Sequence, residues 1–497
     1  MTEAQPQTRQ ALYQRAQELD IPGRSSMSKD ELAAALERHQ PTPERPRVAT
    51  RMEAFSRLAE AVAAGEFVLQ PRVLTGHDRR RHVRQTLRED HETRIAEQSD
   101  DAKMKFDELA DSLYSFFRGT ALLFYRDMAG DDAWMPTVLT LGDVHPENFG
   151  VMPNVNNVPI FSVNDFDEAY YAPFTWDLKR GAVGFIIAAE VEGELKRKQQ
   201  IKIARRFVRG YVEDMQRLAK EGTEQDEEMR FDNAPELVAD LIDDAFESRA
   251  EWLADDYLNE QKTGFQSNED LVPISSRRDE FQEITDRLVA ENHIEVPARA
   301  GRMRVKDVAL RRGQGTASLG LNRYYVLVEG AAGDGTDDLI IEYKQARRSA
   351  LAGLAPSSVY EMDSRGERIS HAQTVQLVRG DVFYGHIEFE GQSYMSRERA
   401  PFRDDIDLDD LSKSDWKDYA DICGRMLARV HALSDEAGNI DHDIEPAIVS
   451  AMGPPDLFVA DMLEFAVEAA DRLRRDHDMF RADHELGAFE HLDFVHE

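Results

Sequence analysis

The spacing of apolar residues predicts two short helices at the start of the chain. Within residues 6–40, apolar positions recur at helical intervals on either side of a short connection. Ser28 and Glu31 have the spacing of a capping box at the start of the second helix. The prolines between residues 41 and 46 then indicate a linker, which sets a first domain at residues 1–45.

The rest of the chain has a helical pattern at both ends and a strand pattern between them. Residues 46–300 are predicted to be mostly helical, with a strand, a loop and a strand at 137–168 and helix throughout 200–300. Short apolar runs bounded by glycine turns occupy residues 301–400, and helical periodicity returns over 401–497. The predicted strands of the central region are 305–310, 324–329, 339–344 and a hairpin over 382–396. We therefore predict an α+β fold.

Composition adds a strong acidic balance. The formal net charge is −34, from 95 acidic and 61 basic residues, which argues against a surface built as a whole for nucleic acid or anionic membrane. An ordinary acidic surface would explain this balance, but we favour a halophilic, salt-adapted protein. The single cysteine, Cys423, excludes an internal disulfide and a cysteine-based zinc site. No apolar segment approaches the length of a membrane span, so we expect a cytoplasmic protein.

Three polar residues between 139 and 168 have the spacing of a magnesium and phosphate site. Asp143 is followed five residues later by Asn148, and Asp165 comes after a predicted β-hairpin. In kinase-like phosphotransferases, an aspartate at the first position orients the attacking hydroxyl, and the asparagine and second aspartate hold Mg²⁺. We expect Asp143 to be catalytic and Asn148 and Asp165 to be metal ligands. The alternative is that Asp143 caps a helix at His145.

A glycine-rich segment and a lysine supply candidate phosphate contacts. Gly313, Gly315 and Gly320 lie between two predicted strands and would let backbone N–H groups approach phosphates. Lys344 lies on the next strand but one, where kinases place the lysine that contacts the α- and β-phosphates. Each feature alone also fits an ordinary turn and a solvated lysine. Together with the metal motif they predict binding of ATP with Mg²⁺.

Further polar residues around this motif have two interpretations each. Arg118, in an apolar stretch, is either a structural ion-pair residue or a phosphate contact. Asp167 and Glu168 are either additional metal or acceptor contacts or solvated acids. Asp177 lies in a Trp-Asp-Leu-Lys turn that is similar to the Tyr-Asp-Leu turn of aminoglycoside-phosphotransferase-like kinases. This similarity implies that Asp177 accepts backbone hydrogen bonds and braces the loop of Asp143. The Asp143-x-His145 pattern also opens two-metal phosphoesterase motifs, but that chemistry needs further histidines at a spacing that this chain lacks.

Several motifs resemble one family. They are Phe117-Arg118-Gly119, Gly142-Asp143-x-His145-x-x-Asn148-Phe149-Gly150, Asn164-Asp165-Phe166-Asp167-Glu168 and Phe174-x-Trp176-Asp177-Leu178-Lys179-Arg180. From about residue 70 to 435 the chain resembles the uncharacterised prokaryotic family DUF2252, which looks related to the kinase-like superfamily that includes the aminoglycoside phosphotransferases. The family name supplies no reaction, so the residue roles still depend on the motifs. Together they predict a kinase-like, two-lobed protein that transfers a phosphoryl group, or less often a nucleotidyl group, from ATP with Mg²⁺ to an unknown acceptor. The glycine-rich segment departs from the family pattern by a longer gap before Gly320. Glu361 is the candidate acidic partner of Lys344, and His371 lies near where that acid is expected.

The order of the motifs is unusual for a kinase-like chain. Gly424–Ala432 resembles the helix that precedes the catalytic loop in phosphotransferase-type kinases. In this chain, that segment comes long after the loop of Asp143. We therefore expect a circular permutation, with the catalytic loop first and the nucleotide lobe second. Residues 6–40 resemble the helical hairpin of SAP domains and of the Rho terminator, which implies nucleic acid as a partner; a protein-binding hairpin fits equally. The alternative function is a nucleotide-binding pseudoenzyme or a nucleic-acid-tethered regulator without turnover.

Overall fold

The computed structural model divides the chain into two units, Met1–Leu69 and Gln70–Glu497. The residues that it describes are 8–18, 21, 24, 27–38, 64, 70–92, 95, 99–312, 321–356, 364–402, 404–436 and 439–490. Gly313, Gly315, Gly320 and Glu361 lie outside these residues. No helix in these ranges is both long enough and apolar enough to cross a membrane.

The first unit contains the two predicted helices, α1 (Arg9–Glu18) and α2 (Lys29–Arg38). They share a small apolar core in which Leu12 and Leu32 are buried. The predicted capping box of α2 is confirmed, because the backbone N–H of Ser28 donates to Glu31 Oε2 at 2.7 Å and the N–H of Glu31 donates to Ser28 Oγ at 3.3 Å. The spacing of polar and apolar residues was sufficient to locate both helices.

The second unit is a mixed α+β structure with antiparallel sheets. Its helices are α3 (Gly76–Asp90), α4 (Ser99–Asp111), α5 (Leu113–Arg118), α6 (Ala121–Asp127), α7 (Phe174–Val191), α8 (Arg197–Glu221), α9 (Glu236–Asp244), α10 (Arg249–Trp252), α11 (Arg278–Glu291), α12 (Arg365–Gln376), α13 (Asp415–Ala432), α14 (Ile444–Met452) and α15 (Pro455–His484). Its strands are β1 (Thr137–Thr140), β2 (Phe149–Pro153), β3 (Pro159–Val163), β4 (Tyr170–Pro173), β5 (Leu271–Pro273), β6 (Val305–Arg311), β7 (Arg323–Val328), β8 (Leu339–Gln345), β9 (Gly385–Phe389), β10 (Gln392–Arg399) and β11 (Asp404–Asp405).

The helical part is organised around α7. This helix is apolar on almost all sides, so it is buried along nearly its whole length between α8, α15 and the strand β1. Helix α8 has one apolar face, which packs along α13, and Gly424 of α13 lies directly against the backbone of Phe207. The consequence is a rigid support for the loop that follows β1.

The largest sheet has six antiparallel strands in the order β5-β6-β7-β8-β10-β9. Side chains alternate across it: Tyr324 and Val326 pack with α11, whereas Tyr325 and Leu327 pack with an aromatic cluster on the opposite face. The central strands and the β9–β10 hairpin lie where the sequence predicts them. Strand β5 corrects the prediction of continuous helix over 200–300, because three residues are too few to show an alternating pattern.

Two smaller sheets hold the polar motifs. Strand β1 pairs with β4, and β2 forms a hairpin with β3 and also pairs with β11. The loop of residues 141–148 therefore connects one small sheet to the other. The segment 164–169 leaves β3 beside that loop, since Asn164 N–H donates to the Asn148 carbonyl at 3.1 Å.

Candidate functional site

The loop that carries Asp143 is anchored on the first turn of α7. Asp177, which is fully buried, accepts hydrogen bonds from the backbone N–H groups of Leu141 at 2.7 Å and Gly142 at 3.0 Å. His431 Nε2 of α13 lies 3.1 Å from the same carboxylate. These contacts confirm the backbone hydrogen bonds predicted for Asp177. They hold the start of the loop in one position.

Asp143 forms an ion pair with a buried arginine and does not cap a helix. Nε and Nη2 of Arg180 donate to Asp143 Oδ1 at 2.9 and 2.7 Å, and His145 is the residue that precedes the short helix Pro146–Asn148. The Arg180 guanidinium lies 3.9 Å from the centre of the Phe117 ring. Burial raises the pKa of the Asp143 carboxyl above its ordinary value, although the charge of Arg180 opposes this rise. The second oxygen, Oδ2, is the part of this carboxylate that Arg180 leaves for another donor.

Asn148 and Asp165 present oxygen atoms suited to a hard cation. The side-chain N–H of Asn148 donates to the Asp143 carbonyl at 2.5 Å, so its amide oxygen faces the other way. Asp165 Oδ1 accepts from the backbone N–H of Asp167 at 3.1 Å. Burial and the charge of Asp167 raise the pKa of the Asp165 carboxyl, so a cation beside it would be stabilising. An amide oxygen and a carboxylate are ligands that Mg²⁺ prefers, and these two residues fit that ion.

Lys344 reaches the same place from the large sheet. Its Nζ forms an ion pair with Asp167 Oδ2. Burial opposes ionisation of Asp167, but Lys344 outweighs it and lowers the pKa of this carboxyl. Lys344, Asn148 and Asp165 all line one cavity of about 310 Å³. Three predicted site residues that are far apart in sequence are thus brought together. Asp143 does not line this cavity, and its backbone carbonyl is hydrogen-bonded to Asn148, which does.

Gly313, Gly315 and Gly320, the predicted phosphate contacts of the glycine-rich segment, lie outside the described residues. The strands that flank it are described, and β7 is the neighbour of β8, which carries Lys344. The partner of Lys344 is Asp167 in the described structure. His371, by contrast, lies 3.0 Å from the Tyr171 hydroxyl.

Several cationic residues of this cavity were not predicted from the sequence. Arg397 and Arg399 on β10 line it, and Arg397 and Arg323 both pair with the buried Glu342 of β8. The sequence pattern that could have identified these arginines is the alternation of charged residues along the strands, because every second side chain faces the same side of a sheet. Arg118, for which two roles were open, pairs with Glu147 at 2.9 Å and also lines the cavity.

The acids after Asp165 are held in ion pairs and are not solvated. Glu168 is buried, pairs with Arg347, and accepts a hydrogen bond from the backbone N–H of Ala350 at 2.5 Å. Arg368 of α12 donates to the carbonyl oxygens of Asp167 at 2.8 Å and Ala169 at 2.6 Å. The segment that carries the candidate metal ligand is therefore fixed by the β-rich region, residues 301–400.

The fold and cavity define an α+β protein in which an anchored polar loop and a lysine-bearing antiparallel sheet meet. A family model described as an uncharacterized protein conserved in bacteria (DUF2252) matches residues 97–483. The chain belongs to this family. No curated protein and no solved structure matches the chain. The family description states no reaction, so the functional inference depends on the geometry of the cavity.

Proposed function

We propose that the protein is a Mg²⁺- and ATP-dependent phosphotransferase of the kinase-like type, with an acceptor still to be identified. The observation that carries this proposal is the shared cavity of Asn148, Asp165 and Lys344. Phosphoryl transfer requires charge neutralisation around the phosphates and little covalent chemistry from the protein. Lys344 and a Mg²⁺ ion held by Asn148 and Asp165 would supply that neutralisation.

The order of elements in the β-rich region supports the same proposal. In protein kinases a glycine-rich loop covers the phosphates and the phosphate-binding lysine lies on the third strand. Here the glycine-rich segment joins β6 to β7, Lys344 lies on β8, and the helix α12 and two further strands follow. The Asp143 loop precedes this region in sequence and α13 follows it, yet His431 of α13 contacts Asp177 beside that loop. A circularly permuted kinase-like fold would account for this order of elements along the chain.

Each residue has a role that its contacts allow. Asp143 Oδ2 would orient the acceptor hydroxyl, while Arg180 fixes the carboxylate through Oδ1. Asn148 and Asp165 would hold Mg²⁺, which supplies charge neutralisation at the phosphates when bound. Lys344 would contact the phosphates beside Asp167, and residues 313–320 would contribute backbone N–H groups.

A nucleotide-binding protein without turnover is the second candidate. The ion pair between Asp143 and Arg180 favours it, because the guanidinium opposes the rise in pKa that burial gives this carboxyl and so weakens it as a base. Both candidates require the same binding site. They differ in whether a phosphoryl group leaves ATP.

Transfer of label from γ-labelled ATP to a cellular metabolite mixture, in high salt with Mg²⁺, tests the proposal. We expect a labelled product with the wild type and none with Asp143→Ala or Asp165→Ala. Asp405→Asn is the matched control, because Asp405 is an exposed carboxylate at the same cavity. Binding of ATP without a labelled product would support the second candidate, and the absence of both would contradict the two.

A further inference from the structure

A second and larger cavity lies beside α12. Its volume is about 700 Å³, and it is bounded by β4, by the segment 348–352, by the first half of α12 and by the β9–β10 hairpin. None of the residues proposed to act on phosphates or Mg²⁺ lines it. Along α12, Arg365 and Arg368 face this cavity, whereas Ile369 and Gln373 face the smaller cavity of Lys344.

Three arginines give this cavity a positive charge. Arg348 and Arg365 are exposed and form no ion pair with a carboxylate in the described part of the chain. Arg368 is buried, and its hydrogen bonds go to neutral carbonyl oxygens. Among the described residues of the lining, Glu388 is the single carboxylate. Two exposed guanidinium groups without a carboxylate partner in the described structure, beside the buried charge of Arg368, indicate a site for an anion in a chain of net charge −34.

We propose that this cavity binds a phosphorylated small molecule. Guanidinium groups recognise phosphate through paired hydrogen bonds, and Arg348 and Arg365 are the two here whose side chains are exposed to make them. With the additional positive charge of Arg368, they suit a phosphate dianion better than a ligand with one carboxylate. The N-terminus of α12, at Ser364 and Arg365, also faces the cavity and adds a favourable dipole. The side chains of Leu139 and Tyr171 provide a less polar wall for the remainder of the molecule.

The cavity is connected to the segment after Asp165. Arg368 binds the carbonyl oxygens of Asp167 and Ala169, and Ser349 Oγ donates to the Glu168 carbonyl at 2.9 Å. A ligand held by these residues would slow the opening of residues 167–171. Any effect of the ligand on phosphoryl transfer rests on the proposed function, whereas the binding itself does not.

Calorimetric titration of the full chain with inorganic phosphate and with phenyl phosphate, in EDTA, tests the proposal. We expect saturable binding, tighter for phenyl phosphate because of the less polar wall. Arg348→Gln and Arg365→Gln should each weaken it about tenfold or more, as hydrogen bonds to charged groups require. Arg278→Gln, at an exposed arginine of α11, and Lys344→Met, in the smaller cavity, should leave it unchanged.

The opposite pattern would overturn the proposal. Binding that is lost in Lys344→Met but kept in Arg348→Gln and Arg365→Gln would place the phosphate in the smaller cavity. The larger cavity would not be a specific site if the wild type showed no saturable phosphate binding. The same conclusion would follow if Arg278→Gln weakened binding as much as Arg348→Gln and Arg365→Gln do. Hydrogen exchange provides a second readout, since phenyl phosphate should slow exchange of residues 167–171 in the wild type and not in Arg365→Gln.

Discussion

Replacing Asp177 by alanine is expected to release the start of the loop that carries Asp143. The carboxylate is fully buried and accepts the N–H groups of Leu141 and Gly142 at 2.7 and 3.0 Å. Alanine removes both acceptors and leaves two buried backbone donors without partners. Because each such donor costs about 1–3 kcal/mol, the free energy of unfolding should fall by about 2–6 kcal/mol. Asp177→Asn keeps one acceptor oxygen and should lie between alanine and the wild type.

Hydrogen exchange at the amides of Leu141 and Gly142, together with urea unfolding, measures this effect. A loss of about 2 kcal/mol corresponds to roughly 30-fold faster exchange if the opening is local. Asp441→Ala is the control, because the side chain of Asp441 is 97% exposed and its loss should change stability by less than about 0.5 kcal/mol. If Asp177→Ala behaves like this control and the two amides stay protected, the proposed anchoring of the loop is wrong.

Three further predictions concern local features of the fold. Gly142 has φ 79°, and an added Cβ would lie 2.2 Å from the Glu168 carbonyl oxygen. Gly142→Ala should therefore lower the midpoint of thermal unfolding far more than Gly130→Ala, because Gly130 has a similar φ of 74° but open space around it. Equal shifts in the two variants would contradict the predicted clash. Burial lowers the pKa of His82 from 6.5 to about 4. The unfolded chain therefore binds the proton first, and this group should lower the stability by about 1–2 kcal/mol, allowing for solvent screening, as the pH drops from 6.5 to 4. An equal fall in the wild type and in His82→Gln would refute this. Ser364→Ala should remove the capping box of α12 and cost about 1 kcal/mol in urea unfolding, and no loss would show that the cap is dispensable.

Local patterns in the sequence predict much of the fold. In the strands β6, β7 and β8, apolar and polar residues alternate or apolar residues are continuous over six or seven positions. This length is enough to recognise a strand from the sequence. Strand β5 has three residues and depends on hydrogen bonds with β6, so its period carries no information. The bracing role of Asp177 could be predicted because its Trp-Asp-Leu turn resembles the Tyr-Asp-Leu turn of aminoglycoside-phosphotransferase-like kinases, although it lies 36 positions from Leu141.

The partners of the site residues could not be predicted in the same way. Lys344 and Asp167 are 177 positions apart, and their ion pair exists only because the large sheet lies against the segment after β3. Arg180 is three residues from Asp177 on α7, but its contact with Asp143 depends on how the loop folds back over that helix. Such pairings are products of tertiary packing, which spacing within one segment does not specify.

Calorimetric titration of Mg·ATP into the full chain tests the central claim most directly. We predict saturable binding of Mg·ATP to the wild type and to the control Asp405→Asn. We also predict binding about tenfold or more weaker in Asp165→Asn and Lys344→Met, with the effect of Asp165→Asn seen only when Mg²⁺ is present. No binding by the wild type, or the same affinity in all four proteins, would contradict the assignment of the Asn148, Asp165 and Lys344 cavity as a nucleotide site.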